Sequence, residues 1–432
     1  MSCPRYWLSG LLATGLLACA WAQQPAPPSA DQAPPPRPGD ARAAKPPQHS
    51  GAQRYNLEQA MSDKAQLHTI AFDALAFFTG DFAYDTFLPP GKVSDYFGFQ
   101  YMRDIDAAEG GHSTSFLTRI AHYTLSVLTD AQRAQLVTLA KAQQDDIRRF
   151  AEMRLPLMAA FRRNLEGKLP VGARALSKSA VVQQSAELYA LDGKLALERA
   201  QVMAEIIRQF TQTQKGALAR AKFGDSRSWP DVKEPYDKRS LSHDVDVAVM
   251  TYASEMFSWY AGSLDADTYF CPERHGMYFG GFGMKTAPAM GKQNYSISTS
   301  LTGDSGEALL QLLGAAQGRP ITDLIALQKP ALQEIVGVRR AIATELRRLL
   351  RGEAADAQRV ENLSRRYGEL DGELSYLYAV AFGRVGQSLT AVQKASLQTM
   401  RQVDPNEPKG PFIYSNPVRE LRIASTDGYF SP

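Results

Sequence analysis

The sequence predicts an all-α chain arranged as two tandem, related antiparallel helical-hairpin units with irregular connectors rich in aromatic residues and glycine. Three observations predict it. A helix-start phrase occurs three times, as Leu128-Thr129-x-x-Gln132, Phe210-Thr211-x-x-Gln214 and Leu389-Thr390-x-x-Gln393. Threonine at an N-cap accepts from the backbone N–H three residues on, and glutamine at that third position reaches back to the cap's own N–H, so two orphan donors are satisfied together. Between these starts, apolar residues recur at three- and four-residue steps, as at Leu136, Leu139, Ala140, Ile147, Phe150, Met153 and Leu157, which is the stripe of an amphipathic helix. Finally, landmarks of the first half return in the second at constant offsets.

The chain begins with Arg5 ahead of an apolar run at residues 6–17 and then Ala20-Trp21-Ala22, the small-x-small pattern of a signal-peptide cleavage site. Residues 1–22 read as a signal peptide, which implies export to the periplasm. Leu16-Leu17-Ala18-Cys19 gives a second reading, a lipoprotein anchored at Cys19. Past this leader, no apolar stretch reaches the roughly 18 to 20 residues of a membrane span. Of the three cysteines, Cys3 and Cys19 fall in the leader and Cys271 remains, and one thiol cannot form an internal bridge. Lys and Arg number 48 against 45 Asp and Glu, a balance that argues against a nucleic-acid footprint.

Residues 23–53 form a Pro/Ala-rich disordered linker, with Pro34-Pro35-Pro36 and Pro46-Pro47, because so few large side chains cannot offset the entropy of ordering. Residues 54–225 follow as an N-terminal helical unit with a leading helix, marked by Leu57, Met61, Leu67, Ala71, Ala74, Leu75 and Phe78. Residues 226–402 hold an aromatic connector and the second helical unit. Residues 403–432, with Pro405, Pro408, Pro411 and Pro417, read as an irregular C-terminal tail.

The repeat rests on spacing. Leu191-Asp192-Gly193 precedes Thr211 by the same distance as Leu370-Asp371-Gly372 precedes Thr390. Arg154, Phe161, Arg162, Arg163 and Gly167 match Arg339, Leu346, Arg347, Arg348 and Gly352 at one offset. Tyr96-Phe97-Gly98 pairs with Tyr278-Phe279-Gly280, and Leu301-Thr302 stands where a partner of Leu128-Thr129 is expected. Leu-Asp-Gly reads as a turn or helix end in both units, glycine tolerating the left-handed residue that closes a helix; if the helices run on through it, the glycine costs about 1 kcal/mol.

An exported helical chain with Leu-Thr-x-x-Gln near both ends of a unit resembles the CpxP and Spy family of periplasmic proteins. The resemblance covers the motif positions at Thr129, Thr211, Thr302 and Thr390 and the helices between them, with Thr302 lacking its glutamine. It implies a small all-helical cradle and an ATP-independent chaperone, or a sensor of envelope stress or metal. Family members pair two chains; here a second unit in the same polypeptide would supply the partner, at an effective concentration of roughly millimolar, giving a pseudo-symmetric monomer.

Enzyme signatures are missing: there is no Gly-x-Ser-x-Gly elbow, phosphate loop, dinucleotide fingerprint or His-Glu-x-x-His. The chain is therefore expected to be non-enzymatic and without an organic cofactor. Cys271, His275, Met277 and Met284 offer thiolate, imidazole and thioether, a donor set suited to a copper ion as Cu(I); a buried Cys and gap-filling Met are the structural alternative. Asp104, Asp106, Glu109 and His112, and likewise His243, Asp244 and Asp246, offer hard oxygens without EF-hand spacing. The pairs Arg148-Arg149, Arg162-Arg163, Arg339-Arg340 and Arg347-Arg348 are expected to edge an apolar groove with positive charge, a surface suited to unfolded or envelope protein clients. The functional expectation is a chaperone-like or stress-protective periplasmic binding protein. The alternatives are a metal-sensing or metal-sequestering protein, or a structural envelope scaffold that binds a protein partner.

Overall fold

The computed structural model describes residues 115–221, 237–261, 305–401 and 425–432, single helical positions between 63 and 78, and short pieces at 230–232, 235, 412–413 and 416–417. Among these residues the chain is helical almost throughout, as the capping and periodicity predict. The first half contains α1 (Ser115–Val127), α2 (Asp130–Ala142), α3 (Gln144–Leu165), α4 (Lys178–Arg208) and α5 (Gln212–Arg220). Helix α6 (His243–Ala261) follows, and then α7 (Ser305–Arg348), α8 (Ala357–Ser388) and α9 (Ala391–Arg401). Among the described residues the strands are β1 (Ala175–Leu176), β2 (Phe412–Ile413), β3 (Asn416–Pro417) and β4 (Phe430–Ser431), paired antiparallel as β1 with β4 and β2 with β3.

Helices α2, α4, α5, α8 and α9 each start where a short polar side chain satisfies a first-turn N–H group, whereas α3 follows Gln143 without a side-chain cap. Thr129 and Thr211, both at φ −68° and ψ 163°, make full capping boxes with Gln132 and Gln214. Thr390 does the same for α9: its N–H donates to Gln393 Oε1 at 3.0 Å, and Gln393 N–H donates to Thr390 Oγ1 at 3.2 Å. Ser177 and Asp356 cap α4 and α8 by accepting from the N–H groups of Ala180 and Arg359.

Leu-Asp-Gly does not end a helix in either half. Both copies lie in the middle of α4 and α8, with Asp192 and Asp371 buried. A mid-helix glycine costs about 1 kcal/mol relative to alanine, and here packing uses the space that a side chain would occupy. A Cβ on Gly372 would fall 2.7 Å from Val182 Cα, and one on Gly368 would fall 2.5 Å from the Ser185 carbonyl oxygen. A Cβ on Gly193 would fall 2.1 Å from Ser364 Oγ. These contacts run in opposite chain directions, so α4 and α8 are antiparallel and meet backbone to backbone. Ser185 donates to Asp371 Oδ2 across the seam at 3.2 Å, and Tyr189 packs on Tyr367 with ring centroids 5.0 Å apart.

Around this seam α3 lies against α4 and α8, and α7 against α8. Helix α6 packs on α1 and α2 of the first half, burying Tyr252, Phe257 and Trp259, each contributing roughly 1.5–3 kcal/mol by removal from water. The leading helical positions make their contacts largely with the second half. Phe77 stacks on Phe382 at 5.8 Å, and Asp63 pairs with Lys329 at 2.6 Å.

Candidate functional site

The three Thr-x-x-Gln caps do more than start helices. Gln132 Oε1 accepts from the Thr129 N–H at 3.0 Å and also from Gln214 Nε2 at 2.7 Å. Gln214 Nε2 in turn donates to the Val127 carbonyl at 3.1 Å. One amide pair thus clasps the start of α2, the end of α1 and the start of α5, and Gln132 and Gln214 are both buried. Burial strengthens such bonds and raises the cost of leaving any of them unmade.

The same clasp recurs in the second half with a different residue at one cap. Gln393 Nε2 donates to Gln317 Oε1 at 2.7 Å and to the Leu312 carbonyl at 3.1 Å. The partner of the Thr390 box is therefore Gln317, and Gly314 occupies the place of Thr129. Gly314 sits at φ 70° and ψ 170°, where α7 kinks, a conformation costly for any residue with a Cβ. Thr302, the expected counterpart, lies outside the described residues. The signal for Gln317 was in the sequence: Leu313-Gly314-x-x-Gln317 stands at the offset that relates Arg154 to Arg339, but with glycine for threonine it does not look like a cap.

A second pair of polar sites, equally absent from the sequence reading, joins the extra helices to the two halves. In the first, Gln143 bridges the break between α2 and α3: its Nε2 donates to the Leu195 carbonyl at 3.1 Å and to Glu198 Oε2 at 2.8 Å. Tyr252 of α6 donates to Gln143 Oε1 at 2.7 Å. Burial pushes the Tyr252 phenol well above its ordinary pKa, so it stays a donor. Next to it Arg199 and Glu255, exposed by 0% and 1%, face each other at 3.5 Å, and the guanidinium lies 5.7 Å from the Tyr252 ring centre. In the second half Gln328 takes the place of Gln143, accepting from Tyr378 and donating to Gln66. The neutral Tyr378 stands where the repeat places Arg199.

Most of the paired arginines anchor neighbouring elements. Arg162 donates to the Phe77 carbonyl at 3.1 Å and lies 5.1 Å from that ring; Arg347 donates to the Trp259 carbonyl at 3.3 Å and lies 6.0 Å from its ring. Arg163 holds Thr426 and Asp427, Arg348 holds Glu345 and Glu353, and Arg339 is buried. Arg148 lies 3.7 Å from Asp244, and Arg149 and Arg340 are exposed. The expected basic edge to an apolar groove is not formed by these residues, because most are spent inside the fold. Among the described residues the exposed large apolar side chains are Val171, Leu327 and Val392, too scattered to line a broad groove.

Cys271, His275, Met277 and Met284 lie outside the described residues, as do Asp104, Asp106, Glu109 and His112. Among the described residues no group of three or more His, Cys, Asp or Glu side chains is placed to hold a metal, and no helix is long and apolar enough to cross a membrane. Comparison with family models, with curated proteins and with solved structures finds no match to this chain.

Proposed function

We propose that this chain is a non-enzymatic periplasmic helical binding protein of the CpxP and Spy kind, chaperone-like or protective under envelope stress. In this reading it is a pseudo-symmetric monomer of two tandem hairpins, α1–α5 and α7–α9, packed through α4 and α8. The observation that carries the reading is the pair of glutamine clasps, Gln132 with Gln214 and Gln317 with Gln393, which share two bonds: in each half the second glutamine's amide donates to the first glutamine and to a backbone carbonyl, of Val127 or Leu312. A capping box alone is common. Two boxes joined through their own glutamines in the first half, and one box joined to Gln317 at the matching place in the second, account for why Thr-x-x-Gln recurs in this chain. The matched anchors Arg162 on Phe77 and Arg347 on Trp259 support the same pairing of halves.

The test is suppression of aggregation of a chemically unfolded model protein by the exported chain, without ATP or added metal. Light scattering should fall in proportion to chain added and reach its floor near stoichiometric ratios. No effect at a tenfold excess would overturn the chaperone reading. Stoichiometric copper uptake, lost on combining Cys271→Ala with His275→Ala, would put the metal-sequestering reading in its place.

A further inference from the structure

The two halves differ in length at the loop between their long helices. From the left-handed Gly167 to the cap Ser177 the first has eleven residues, and from the left-handed Gly352 to the cap Asp356 the second has five. The longer loop carries β1 and the second left-handed glycine, Gly172, and it receives residues 425–432 as a strap. The Arg174 N–H donates to the Ser431 carbonyl at 2.8 Å, and the Ser177 N–H to the Tyr429 carbonyl at 2.7 Å. Arg163 donates to Asp427 Oδ1 at 2.6 Å and to Thr426 Oγ1 at 2.7 Å, and its guanidinium lies 5.2 Å from the Phe430 ring centre. Its counterpart Arg348 is held within its own hairpin by Glu345 and Glu353.

The strap is held as a peptide would be. Its backbone adds to β1 over two residues, Phe430 covers the buried Leu176, and its carboxylate meets a cation at the end of α3. Main-chain bonds supply affinity in this mode of recognition, and side-chain pockets supply specificity. Beside Phe430 and Pro432 the surface continues as an open depression lined by Leu169, Pro170, Val171 and Ala173, with Val171 fully exposed. Asp427 is 62% exposed, so its ion pair is worth little on its own, and a two-residue ladder is a slight hold. Such an element belongs to the low-stability end of a structure.

We infer that the β1 edge, Arg163 and the adjoining depression form a peptide-recognition site occupied in cis, which accepts in trans an extended segment bearing a carboxylate three residues before an aromatic ring. The charge of Arg163 and the spacing of Asp427 and Phe430 define that ligand. The inference stands apart from the chaperone reading, since a scaffold with no action on unfolded protein would keep the site. Because the tethered strap competes at an effective concentration of about millimolar, the unaltered chain should bind such a peptide weakly.

The test titrates a labelled Ala-Ser-Thr-Asp-Gly-Tyr-Phe-Ser-Pro peptide, the sequence of residues 424–432, into the full chain and into a full-chain variant combining Asp427→Ala with Phe430→Ala. The variant should bind at least tenfold more tightly than the unaltered chain, and adding Arg163→Ala should abolish that binding. No saturable binding by a variant with unchanged helical content would overturn the inference. Should the variant fail to fold, amide exchange of the unaltered chain decides: residues 429–431 exchanging as slowly as α4 would make the strap an integral part of the core and overturn it, whereas far faster exchange would support it. A concentration-dependent dimer of the unaltered chain with exchanged straps would also overturn it, by naming a second copy as the occupant.

Discussion

Beside its central glutamine the first half meets its extra helix through a buried charge pair, and the second half meets the leading helix there through neutral hydrogen bonds, its Asp63–Lys329 pair lying exposed. Gln143 and Gln328 occupy the same place in the repeat and each accepts from a tyrosine, Tyr252 in one case and Tyr378 in the other. Arg199 and Glu255 lie beside Gln143, whereas Tyr378 stands where the repeat places Arg199. The difference teaches that the amide is the shared part of the design and that the charge is an addition whose cost has to be met locally. A buried ion pair roughly breaks even against well-packed apolar residues, but removing one partner strands the other.

Arg199→Met should therefore give the largest loss, about 3–5 kcal/mol, by leaving the Glu255 carboxylate without its cation in a dry site. Tyr378→Phe in the second half should cost only about 1 kcal/mol, one hydrogen bond between neutral groups. Chemical denaturation of both variants measures the contrast, and equal losses would break it. Combining Arg199→Met with Glu255→Leu should recover most of the loss.

The seam between α4 and α8 gives the next contrast. Gly372→Ala drives a methyl against the backbone of Val182, an overpacking that should cost about 1–3 kcal/mol. Gly337→Ala, on the exposed side of α7, meets nothing within 4 Å and gains about 1 kcal/mol of helix propensity. The second substitution should be clearly milder when the two are unfolded side by side.

At the clasps, Thr129→Gly should cost a few tenths of a kcal/mol, since glycine is a tolerable cap. Gly314→Thr, although it restores the motif, should cost about 1–3 kcal/mol, because the backbone there has φ 70°. Thermal melts that showed Gly314→Thr to be stabilising would mean that the second clasp relaxes into the geometry of the first.

The smallest effect concerns the strap, and it depends on pH. The Arg163 guanidinium holds the Asp427 carboxyl below its ordinary value. A depressed carboxylate contributes above its unfolded pKa and loses that contribution as pH falls through its folded one. Amide protection at residues 429–431 should thus stay constant from neutral pH down to the usual aspartate range, start to decline there, and finish declining once the pH has passed the lower folded value. Among the described residues no strap meets the Arg348 end of the other hairpin, where Arg351 and Arg348 hold the Glu353 carboxyl below its ordinary value within the loop itself.

Sequence alone was enough for what is settled within a few residues. The caps at Thr129, Thr211 and Thr390 are closed by a glutamine three residues on, so the threonine, the glutamine and the helix they start could all be read from spacing. The helical class followed from the same local rules together with the apolar period. Leu-Asp-Gly was misread because, within its own segment, a glycine that ends a helix looks like one that makes room for another helix; the Val182 and Ser364 contacts that decide the matter come from the other half of the chain. For the same reason tertiary structure alone decided that Gln317 serves Gln393 across Gly314, that the arginine pairs point inward to Phe77, Trp259 and Asp427, and that Arg199 meets Glu255. Each depends on a partner far along the chain, and its free energy exists only once the helices have packed.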